Sequence, residues 1–396
     1  MNVVHLADSL NRAMGGPPRS IVGLCEHLAP LVDRMDLCSV DLGGDFGTAV
    51  AVDTSRVNHT EVPCRLWKSL RLYIPKGLGS VLKDKAASAD IIHSHGLWAP
   101  ANVIAARAAR KARLPHIIAP RGSFEPGALA ESAWKKAIFK RLYVNRALRE
   151  AACFHALTQR EAWCIRKFGL TNPIAIVPNA VTASPPPTGS DANGGQDWAQ
   201  QFGGKKIIVF LGRMHPIKGL DILIEAWRRL AGEFIDWHLV LAGPDEDGYL
   251  AALESQVRAA NLPDRVSFPG GLYGPDKDGL LAAADMFVLP SRSEGMSVAL
   301  LEAMDAGLPV VITKSCNFPA AEDSGAGFAV DPDVESLTAA LAKMLKTPDD
   351  RRSEMAANAK SLVRSTYSWD SVARAMLEVY RWLLGRRDAP QCVRMD

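Results

Sequence analysis

The chain has 396 residues, more than one ordinary hydrophobic core holds and enough for two domains of roughly 150 to 200 residues each. Hydrophobic residues make up 48% and charged residues 22% of the chain, which excludes a disordered or fibrous protein. The 46 Lys and Arg residues nearly balance the 43 Asp and Glu residues, and a net charge of +3 gives no reason to expect a nucleic-acid partner.

Seven cysteines are scattered along the chain without a C-x-x-C pair, so neither a disulfide framework nor a zinc site is expected. The sequence opens directly on a strand-like stretch, MNVVHLADSL, with no secretory signal, and no apolar run reaches the length of a membrane span. These features predict a cytoplasmic location, with peripheral attachment to the inner face of the cell membrane left open.

Short apolar runs alternate with helical patterns in the first half of the chain, which is typical of a parallel β-sheet with crossover helices. The predicted strands are Val3 to Ala7, Asp36 to Val40, Ile91 to His93, His116 to Ala119, Phe154 to Leu157 and Ile174 to Val177. A stretch rich in Pro, Gly and Ser follows at 182–200 and indicates a linker.

The same rhythm restarts after the linker, with strands at Lys205 to Leu211, Trp237 to Ala242, Arg265 to Phe268, Asp285 to Leu289, Pro309 to Ile312 and Gly327 to Val330. The fold class is therefore α/β, with two doubly wound domains at 1–181 and 201–367. Apolar residues on one face of the last helix, 368–385, predict that it packs back on the first domain. Two such sheets with their carboxyl ends facing would bind ligands in a cleft between them.

Two loops between a strand and a helix offer groups for binding an anion. Gly15 and Gly16 precede a helix expected from about Arg19, and paired glycines allow the backbone to approach a ligand, although a tight turn explains them equally well. The loop that starts at Gly212 places Arg213 and Lys218 beside a helix N-terminus, an arrangement suited to a diphosphate.

The most informative segment is PSRSEGMSVALLEAMDAGLP at 290–309. A strand ends there, a turn carries Glu294, and a helix that begins near Ser297 carries Glu302. Both carboxylates can face one pocket, where oxygens that only accept hydrogen bonds suit sugar and ribose hydroxyls. A helix cap for Glu294 and an exposed charge for Glu302 are the structural alternative.

Glu294 and Glu302 form an E-x7-E pattern, which resembles the retaining glycosyltransferases of the GT4 family. Further segments resemble that family in its order along nearly the whole chain: GGPPRS at 15–20, HSHGLW at 93–98, VPNAV at 177–181, GRMHPIKGLDILIEA at 212–226 and LAGPD at 241–245. The resemblance implies a GT-B fold and a sugar transferred from a nucleotide diphosphate, with a UDP- or GDP-sugar favoured, to a polysaccharide or lipid-linked glycan.

The resemblance also assigns roles to residues. Arg213 and Lys218 would neutralise the diphosphate and Glu302 would bind the ribose. The donor sugar would contact Glu294 and the backbone amides around Gly295, Met296 and Ser297. Gly15 and Gly16 would close over the phosphates, and Gly212 would line the site. No cofactor other than the nucleotide sugar is implied.

The acceptor side departs from the family pattern. Many members carry a His after the strand that here ends at Ala119, whereas this chain has Arg121, which could contact the donor phosphate or an acidic acceptor. Glu125 could hold an acceptor hydroxyl, and His95 is a further candidate contact, whereas His93 is expected in the core.

Two other segments have competing interpretations. Asp331 and Asp333 match the spacing of a metal-binding D-x-D motif, but a loop and a helix cap are the favoured interpretation. No catalytic metal is predicted. The basic amphipathic stretch 132–150 could contact anionic lipid, or it could be an ordinary helix with a solvated charged face.

The predicted reaction is a metal-independent hexosyl transfer with retention, of EC class 2.4, in which the acceptor attacks from the face that the nucleotide leaves. The alternatives are another GT-B activity, namely nucleotide-sugar epimerisation or phosphorolysis, or a non-catalytic sugar-binding protein.

Overall fold

The computed structural model describes residues 1–43, 49–67, 72–130, 145–182, 198–246 and 248–396. The chain divides into two compact units, Met1–Ala180 with Trp369–Asp396, and Val181–Ser368. Most of the predicted linker, 183–197, and most of the predicted basic helix, 131–144, lie outside the described residues.

The first unit is built on a nine-stranded sheet with the order β15-β8-β7-β6-β5-β1-β2-β3-β4. Its strands are β1 (Asn2–Leu6), β2 (Arg34–Asp41), β3 (Asn58–Trp67), β4 (Leu72–Pro75), β5 (Ile91–His95), β6 (His116–Ala119), β7 (Cys153–Ala156), β8 (Ile174–Ile176) and β15 (Val393–Arg394). All pairs are parallel except β3 with β4 and β15 with β8, which add an antiparallel strand at each edge. Because β1 lies beside both β2 and β5, the strand order reverses there, and parallel sheets bind ligands at such a point.

The helices of the first unit follow its strands. They are α1 (Gly16–Leu28), α2 (Leu78–Ala86), α3 (Pro100–Ala112), α4 (Pro126–Ala130), α5 (Asn145–Glu150), α6 (Gln159–Lys167) and α15 (Trp369–Leu383). Helix α1 begins at Gly16 rather than near Arg19, because two prolines, which favour the first turn of a helix, extend it toward its N-terminus.

The last helix, α15, packs on α1 within the first unit. A Cβ atom on Gly23 of α1 would lie 2.2 Å from the Trp369 ring, so only glycine permits this close approach. Val372, Met376 and Val379 of α15 are buried in the same core cluster as Leu24. Two helices distant in the sequence are thereby fixed to one core.

The second unit has a six-stranded parallel sheet with the order β11-β10-β9-β12-β13-β14. Its strands are β9 (Lys206–Leu211), β10 (Trp237–Ala242), β11 (Val266–Gly270), β12 (Met286–Leu289), β13 (Val310–Thr313) and β14 (Gly327–Val330). In order of appearance this is the 3-2-1-4-5-6 arrangement of a dinucleotide-binding sheet, whose ligands bind where the order reverses. In this unit the reversal lies between β9 and β12.

Helices again connect the strands of the second unit. They are α7 (Trp198–Gln201), α8 (Leu220–Leu230), α9 (Tyr249–Ala259), α10 (Pro275–Ala283), α11 (Val298–Asp305), α12 (Ala320–Asp323), α13 (Val334–Lys346) and α14 (Asp349–Thr366). Among the helices of the described residues, none combines the length and apolar character needed to cross a lipid bilayer.

The twelve strands expected from the sequence are all present, with ends that differ by at most two residues. The prediction missed β3, β4 and β15. Pro63 within β3 weakens its strand pattern, since proline cannot donate a hydrogen bond to the sheet. The strand β15 has two residues and carries too little periodicity to be detected.

Candidate active site

The loop after β9 carries the first cations of the candidate site. It passes through a single 3₁₀ turn, Pro216–Lys218, and enters α8 at Gly219. Gly219 has a left-handed φ of 67°, and a Cβ atom there would lie 2.2 Å from the carbonyl oxygen of Pro290. Only glycine therefore lets the loop after β9 lie against the loop after β12.

That close approach brings together two residues that are 76 positions apart in the sequence. Nζ of Lys218 donates to Oε1 of Glu294 at 2.5 Å, and Oγ of Ser291 donates to the same oxygen at 2.7 Å. The side chains of Lys218 and Glu294 are 16% and 11% exposed, so the pair is mostly removed from water. The backbone of Glu294 is fixed as well, because its carbonyl accepts from Asn317 at 2.6 Å.

A second ion pair braces the same two loops. Arg292 donates from both terminal nitrogens to the carboxylate of Asp221, at 2.8 and 2.7 Å, and also to the carbonyl of Pro216. A bidentate pair of this kind fixes direction as well as distance. It therefore supports the position of Lys218 opposite Glu294.

The glutamate motif continues into α11 as predicted. Ser297 is the N-cap of the helix, and its hydroxyl accepts from the amide of Leu300 at 3.2 Å. Gly295, Met296 and Ser297 immediately precede the helix, whose N-terminal amides favour an anion or a hydroxyl oxygen.

Glu302 lies on α11 and meets a cation that the sequence did not indicate. Nζ of Lys277 donates to Oε1 of Glu302 at 2.8 Å, and the two side chains are 15% and 20% exposed. Since a carboxylate accepts several hydrogen bonds through its two oxygens, Glu302 can hold Lys277 and a ligand hydroxyl together. The predicted alternative of a freely exposed charge is wrong for Glu302.

Arg213, which follows Gly212 after β9, forms an ion pair with Glu246. The other carboxylate oxygen of Glu246, Oε2, is buried and has no hydrogen-bond partner among the described residues. Gly243 permits the contact between these loops, since a Cβ atom there would lie 1.7 Å from the carbonyl oxygen of Gly212. With a side chain 39% exposed, Arg213 can turn from Glu246 to an anionic ligand.

The second unit thus gathers the predicted cations and carboxylates at the carboxyl ends of β9 and β12, where its strand order reverses. Lys277 and Glu246 are the residues that sequence reasoning missed. Lys277 carried a detectable signal, because it lies in the first turn of the helix that follows β11. Chemically, the arrangement supplies cations for phosphates and acceptor oxygens for hydroxyls.

In the first unit, Gly15 and Gly16 stand at the start of α1. Gly15 is the N-cap, with a φ of 80° and no side-chain cap hydrogen bond. Gly16 begins the helix. The contact of these glycines with donor phosphates stays a prediction.

Arg121 also lies in the first unit and is half-buried, with a left-handed φ of 54° that is uncommon for a residue with a side chain. Its guanidinium donates to Asn179 at 2.8 Å, to Ser20 at 3.3 Å and to Nδ1 of His95 at 3.1 Å. Burial lowers the pKa of Arg121 to about 10, which leaves it charged at neutral pH. Arg121 is therefore a cation fixed by hydrogen bonds beside the first turns of α1.

The other two acceptor-side candidates are placed differently. His95 is 1% exposed and both of its ring nitrogens are engaged within the first unit, so the structure does not support direct contact with an acceptor. Glu125 is 9% exposed, and its Oε2 lies 3.6 Å from Arg160. Its role toward an acceptor hydroxyl stays a prediction. His93 is fully buried, as expected.

Two groups of side chains among the described residues resemble metal sites. Asp333 of the D-x-D imitation is the N-cap of α13 and accepts from the amide of Ser336 at 2.8 Å, which confirms the predicted helix cap. Ligand atoms of three buried histidines, His5, His93 and His95, lie within 4.8 Å of one another.

Models of two protein families match the two halves of this chain. The model described as Glycosyl transferases group 1 matches residues 196–362, and the one described as Glycosyl transferase 4-like domain matches residues 15–180. The chain belongs to the GT4 family of glycosyltransferases, as its motifs predicted.

Several curated proteins are similar in sequence. The lipopolysaccharide core biosynthesis mannosyltransferase LpsB of Rhizobium meliloti is 33% identical over 46% of this chain and 52% of its own length. A GDP-mannose-dependent alpha-(1-6)-phosphatidylinositol monomannoside mannosyltransferase of Mycolicibacterium smegmatis is 29% identical over 48% of this chain and 50% of its own. This chain thus spans about half the length of these relatives. The GDP-mannose:cellobiosyl-diphosphopolyprenol alpha-mannosyltransferase of Xanthomonas oryzae is 23% identical over the whole of both chains.

Solved structures resemble the chain throughout. Anabaena HepE, in complex with UDP and glucose, matches with a TM-score of 0.74 and 21% identity, covering 96% of this chain and 99% of that one. WaaG, a glycosyltransferase involved in lipopolysaccharide biosynthesis, matches with a TM-score of 0.68 and 18% identity, covering 96% and 99%. These similarities confirm the predicted GT-B fold.

Proposed function

We propose that this protein transfers a sugar from a nucleotide diphosphate donor to a polysaccharide or lipid-linked glycan acceptor, with retention at the anomeric carbon. The observation that carries the proposal is the Lys218–Glu294 pair at the point where the strand order of the second unit reverses. At that point the cation can bind the phosphate of such a donor, and the carboxylate can accept hydrogen bonds from the hydroxyls of its sugar.

The donor is proposed to bind to the second unit. Lys218 and Arg213 would turn from their carboxylate partners to the diphosphate, whose departure builds charge that must be stabilised. Glu294 would then accept from sugar hydroxyls, and Glu302 from the ribose. The backbone amides of Gly295, Met296 and Ser297, at the start of α11, lie on the same loop as Glu294.

The names of the relatives favour one donor for the first experiments. Two of the proteins reported above are named for GDP-mannose. Anabaena HepE was solved with UDP and glucose. We therefore propose a GDP- or UDP-hexose and place GDP-mannose first.

The acceptor is proposed to be a glycan of a surface polysaccharide or one carried on a lipid. LpsB is named for the lipopolysaccharide core, and the Xanthomonas relative for a diphosphopolyprenol. Arg121 supports an acceptor that carries a phosphate or an acidic sugar. Attachment to a membrane surface and a cytoplasmic location follow as proposals from the same acceptor class.

The proposed reaction exchanges one bond at the anomeric carbon for another. The bond to the β-phosphate oxygen breaks and a bond to the acceptor oxygen forms on the same face. The acceptor proton passes to the departing phosphate. Lys218, Arg213 and the N-terminus of α11 would stabilise the charge on the nucleoside diphosphate, so no catalytic metal is proposed.

The test is donor turnover by the purified full chain, followed by NMR of the sugar product. GDP-mannose and UDP-glucose are each supplied with a glycan acceptor, without an acceptor, or with inorganic phosphate. Acceptor-dependent release of nucleoside diphosphate and a product with the donor's anomeric configuration are expected. An inverted product would exclude retention. Donor turnover without an acceptor would indicate epimerisation, a requirement for phosphate would indicate phosphorolysis, and binding without turnover would indicate a sugar-binding protein.

A further inference from the structure

A set of buried aromatic side chains crosses the core of the first unit. His5 lies on β1, His93 and His95 on β5, His155 on β7 and Tyr380 on α15. Each of these side chains is at most 2% exposed. We call this set the histidine chain, because hydrogen bonds join its members in series.

The first half of the series starts at Arg121. Nη2 of Arg121 lies 3.1 Å from Nδ1 of His95, and Nε2 of His95 lies 3.0 Å from Nδ1 of His5. Nε2 of His5 then lies 2.9 Å from the hydroxyl of Tyr380. Strands β1 and β5 hold the two histidines in place, since they are neighbours in the sheet.

The second half continues from Tyr380 to the backbone. The hydroxyl of Tyr380 lies 2.8 Å from Nδ1 of His93, and Nε2 of His93 lies 3.3 Å from Nδ1 of His155. The series ends where Nε2 of His155 lies 2.8 Å from the carbonyl oxygen of Val177. Two residues further along, Asn179 accepts from Arg121, so the two ends meet in one loop.

The chemistry of the two ends fixes the direction of every hydrogen bond. A guanidinium can only donate and a backbone carbonyl can only accept. His95 must therefore accept at Nδ1 and, when neutral, donate from Nε2, and the same assignment passes to His5. His5 donates to the hydroxyl of Tyr380. That hydroxyl must in turn donate to His93, and His93 donates to His155. All four histidines are thus neutral with the proton on Nε2.

The same assignment bears on the three histidines whose ligand atoms are close enough for a metal ion. In the series, the Nδ1 lone pairs of His5, His93 and His95 each accept a hydrogen bond from a neighbour. A metal would have to break several of these buried bonds, which costs more than breaking exposed ones. The hydrogen bonds therefore account for the cluster without a metal.

The charge states agree with this assignment. Burial, together with the charge of Arg121, lowers the pKa of His5 and of His155 to about 3. Burial also lowers the pKa of His93 and His95 well below the usual range, and raises that of Tyr380 well above it. The set is neutral at pH 7, and Arg121 carries the charge.

We propose that the histidine chain positions the guanidinium of Arg121, with Tyr380 of the last helix as its central positioning residue. Arg121 holds a left-handed backbone conformation, which persists only where surrounding contacts impose it. Its bonds to His95, Asn179 and Ser20 provide those contacts. The effect on catalysis rests on the proposed function, in which Arg121 faces the acceptor or a phosphate, whereas the direction of the bonds does not.

The first test needs no activity. Long-range ¹⁵N–¹H NMR of the full chain with labelled histidine reports which ring nitrogen carries the proton. The four histidines of the histidine chain are expected as the Nε2–H form at neutral pH, unchanged by added Zn²⁺. A proton on Nδ1 of any of these four, or a shift of their signals by stoichiometric Zn²⁺, would overturn the assignment.

The second test replaces Tyr380 with Phe, which keeps the ring and removes the hydroxyl between His5 and His93. Tyr367→Phe is the matched control, because Tyr367 lies in the second unit, where its ring contacts Phe318. Tyr380→Phe is expected to shift the Arg121 guanidinium signals and to lower kcat/KM for the acceptor about tenfold, the equivalent of one hydrogen bond. The control is expected to change neither.

A double variant separates positioning from loss of fold. In an Arg121→Lys background, Tyr380→Phe should cause no further loss of kcat/KM, because the group that it positions is already gone. Additive losses, or a Tyr380→Phe protein with unaltered Arg121 signals, would contradict the positioning role. If no donor is turned over at all, the proposed function fails. The NMR result still decides which group donates in each hydrogen bond of the histidine chain.

Discussion

Replacement of Glu302 by Gln tests the donor site with the smallest change in shape. The carboxylate is 20% exposed and its Oε1 accepts from Lys277 at 2.8 Å. An amide keeps the volume but loses the charge, so the proposed charged hydrogen bond to ribose becomes a neutral one and the ion pair with Lys277 becomes an ordinary hydrogen bond. A hydrogen bond to a charged group contributes about 1.5 to 3 kcal/mol and a neutral one about 0.5 to 1.5 kcal/mol, a difference of about 1 to 1.5 kcal/mol, so Kd for the nucleotide should rise about 5- to 13-fold.

The assay is isothermal titration of the full chain with GDP and UDP, with and without their sugars. Glu225→Gln is the matched control, because Glu225 is also a helical glutamate held by cations, Arg228 and Arg229. Thermal unfolding of each variant shows whether the fold is retained. Nucleotide affinity within twofold of wild type in a folded Glu302→Gln protein would refute the assignment of ribose binding to Glu302.

Three further predictions concern the backbone, pH and metal ions. Gly219→Ala should lower the free energy of unfolding in urea by about 1 to 3 kcal/mol and weaken donor binding, because the added Cβ atom would clash with Pro290. Gly232→Ala is the control and should be nearly neutral, because a Cβ atom there has no other atom within 4 Å. Equal effects of the two substitutions would contradict the importance of the close approach at Gly219. Burial lowers the pKa of His116 to about 4, so between about pH 7.5 and 5.5 the unfolded chain takes up a proton that the folded chain does not. Wild type should therefore lose about 1.3 kcal/mol more stability over that range than His116→Gln, and parallel pH profiles would show that His116 is not held neutral. Transferase activity should persist in excess chelator, and a loss restored by Mg²⁺ or Mn²⁺ would show a metal requirement.

Local patterns in the sequence predicted most of the secondary structure that carries the candidate site of the second unit. The strand before Ser291, the cap at Ser297 and the helix that carries Glu302 depend on neighbours within a few residues, which periodicity and capping rules describe. The close approach of Gly219 to the carbonyl oxygen of Pro290 was not predicted, because it joins two loops that are distant in the sequence.

The partners of these residues could not be predicted in the same way. Lys277 reaches Glu302 from another helix, and Glu246 reaches Arg213 from another loop. Such pairs depend on the register of strands that are distant in the sequence, and this register cannot be inferred from composition. Tyr380 is the clearest case, since its periodic position marks it only as a core residue, while its hydroxyl joins two strands more than 280 residues away.

In the proposed donor site, Arg213 and Lys218 of the second unit hold a nucleoside diphosphate. The most direct measurement is a thermal-shift and titration screen of wild type, Arg213→Ala and Lys218→Ala against GDP, UDP, ADP and their sugars. Lys206→Ala is the control, because Lys206 pairs with an exposed carboxylate, Asp349, at the opposite end of β9. The proposed donor site predicts that one nucleoside diphosphate stabilises wild type and the control, and that both site variants lose most of that response. No stabilisation of wild type by any of them, or an equal response in all four proteins, would contradict it.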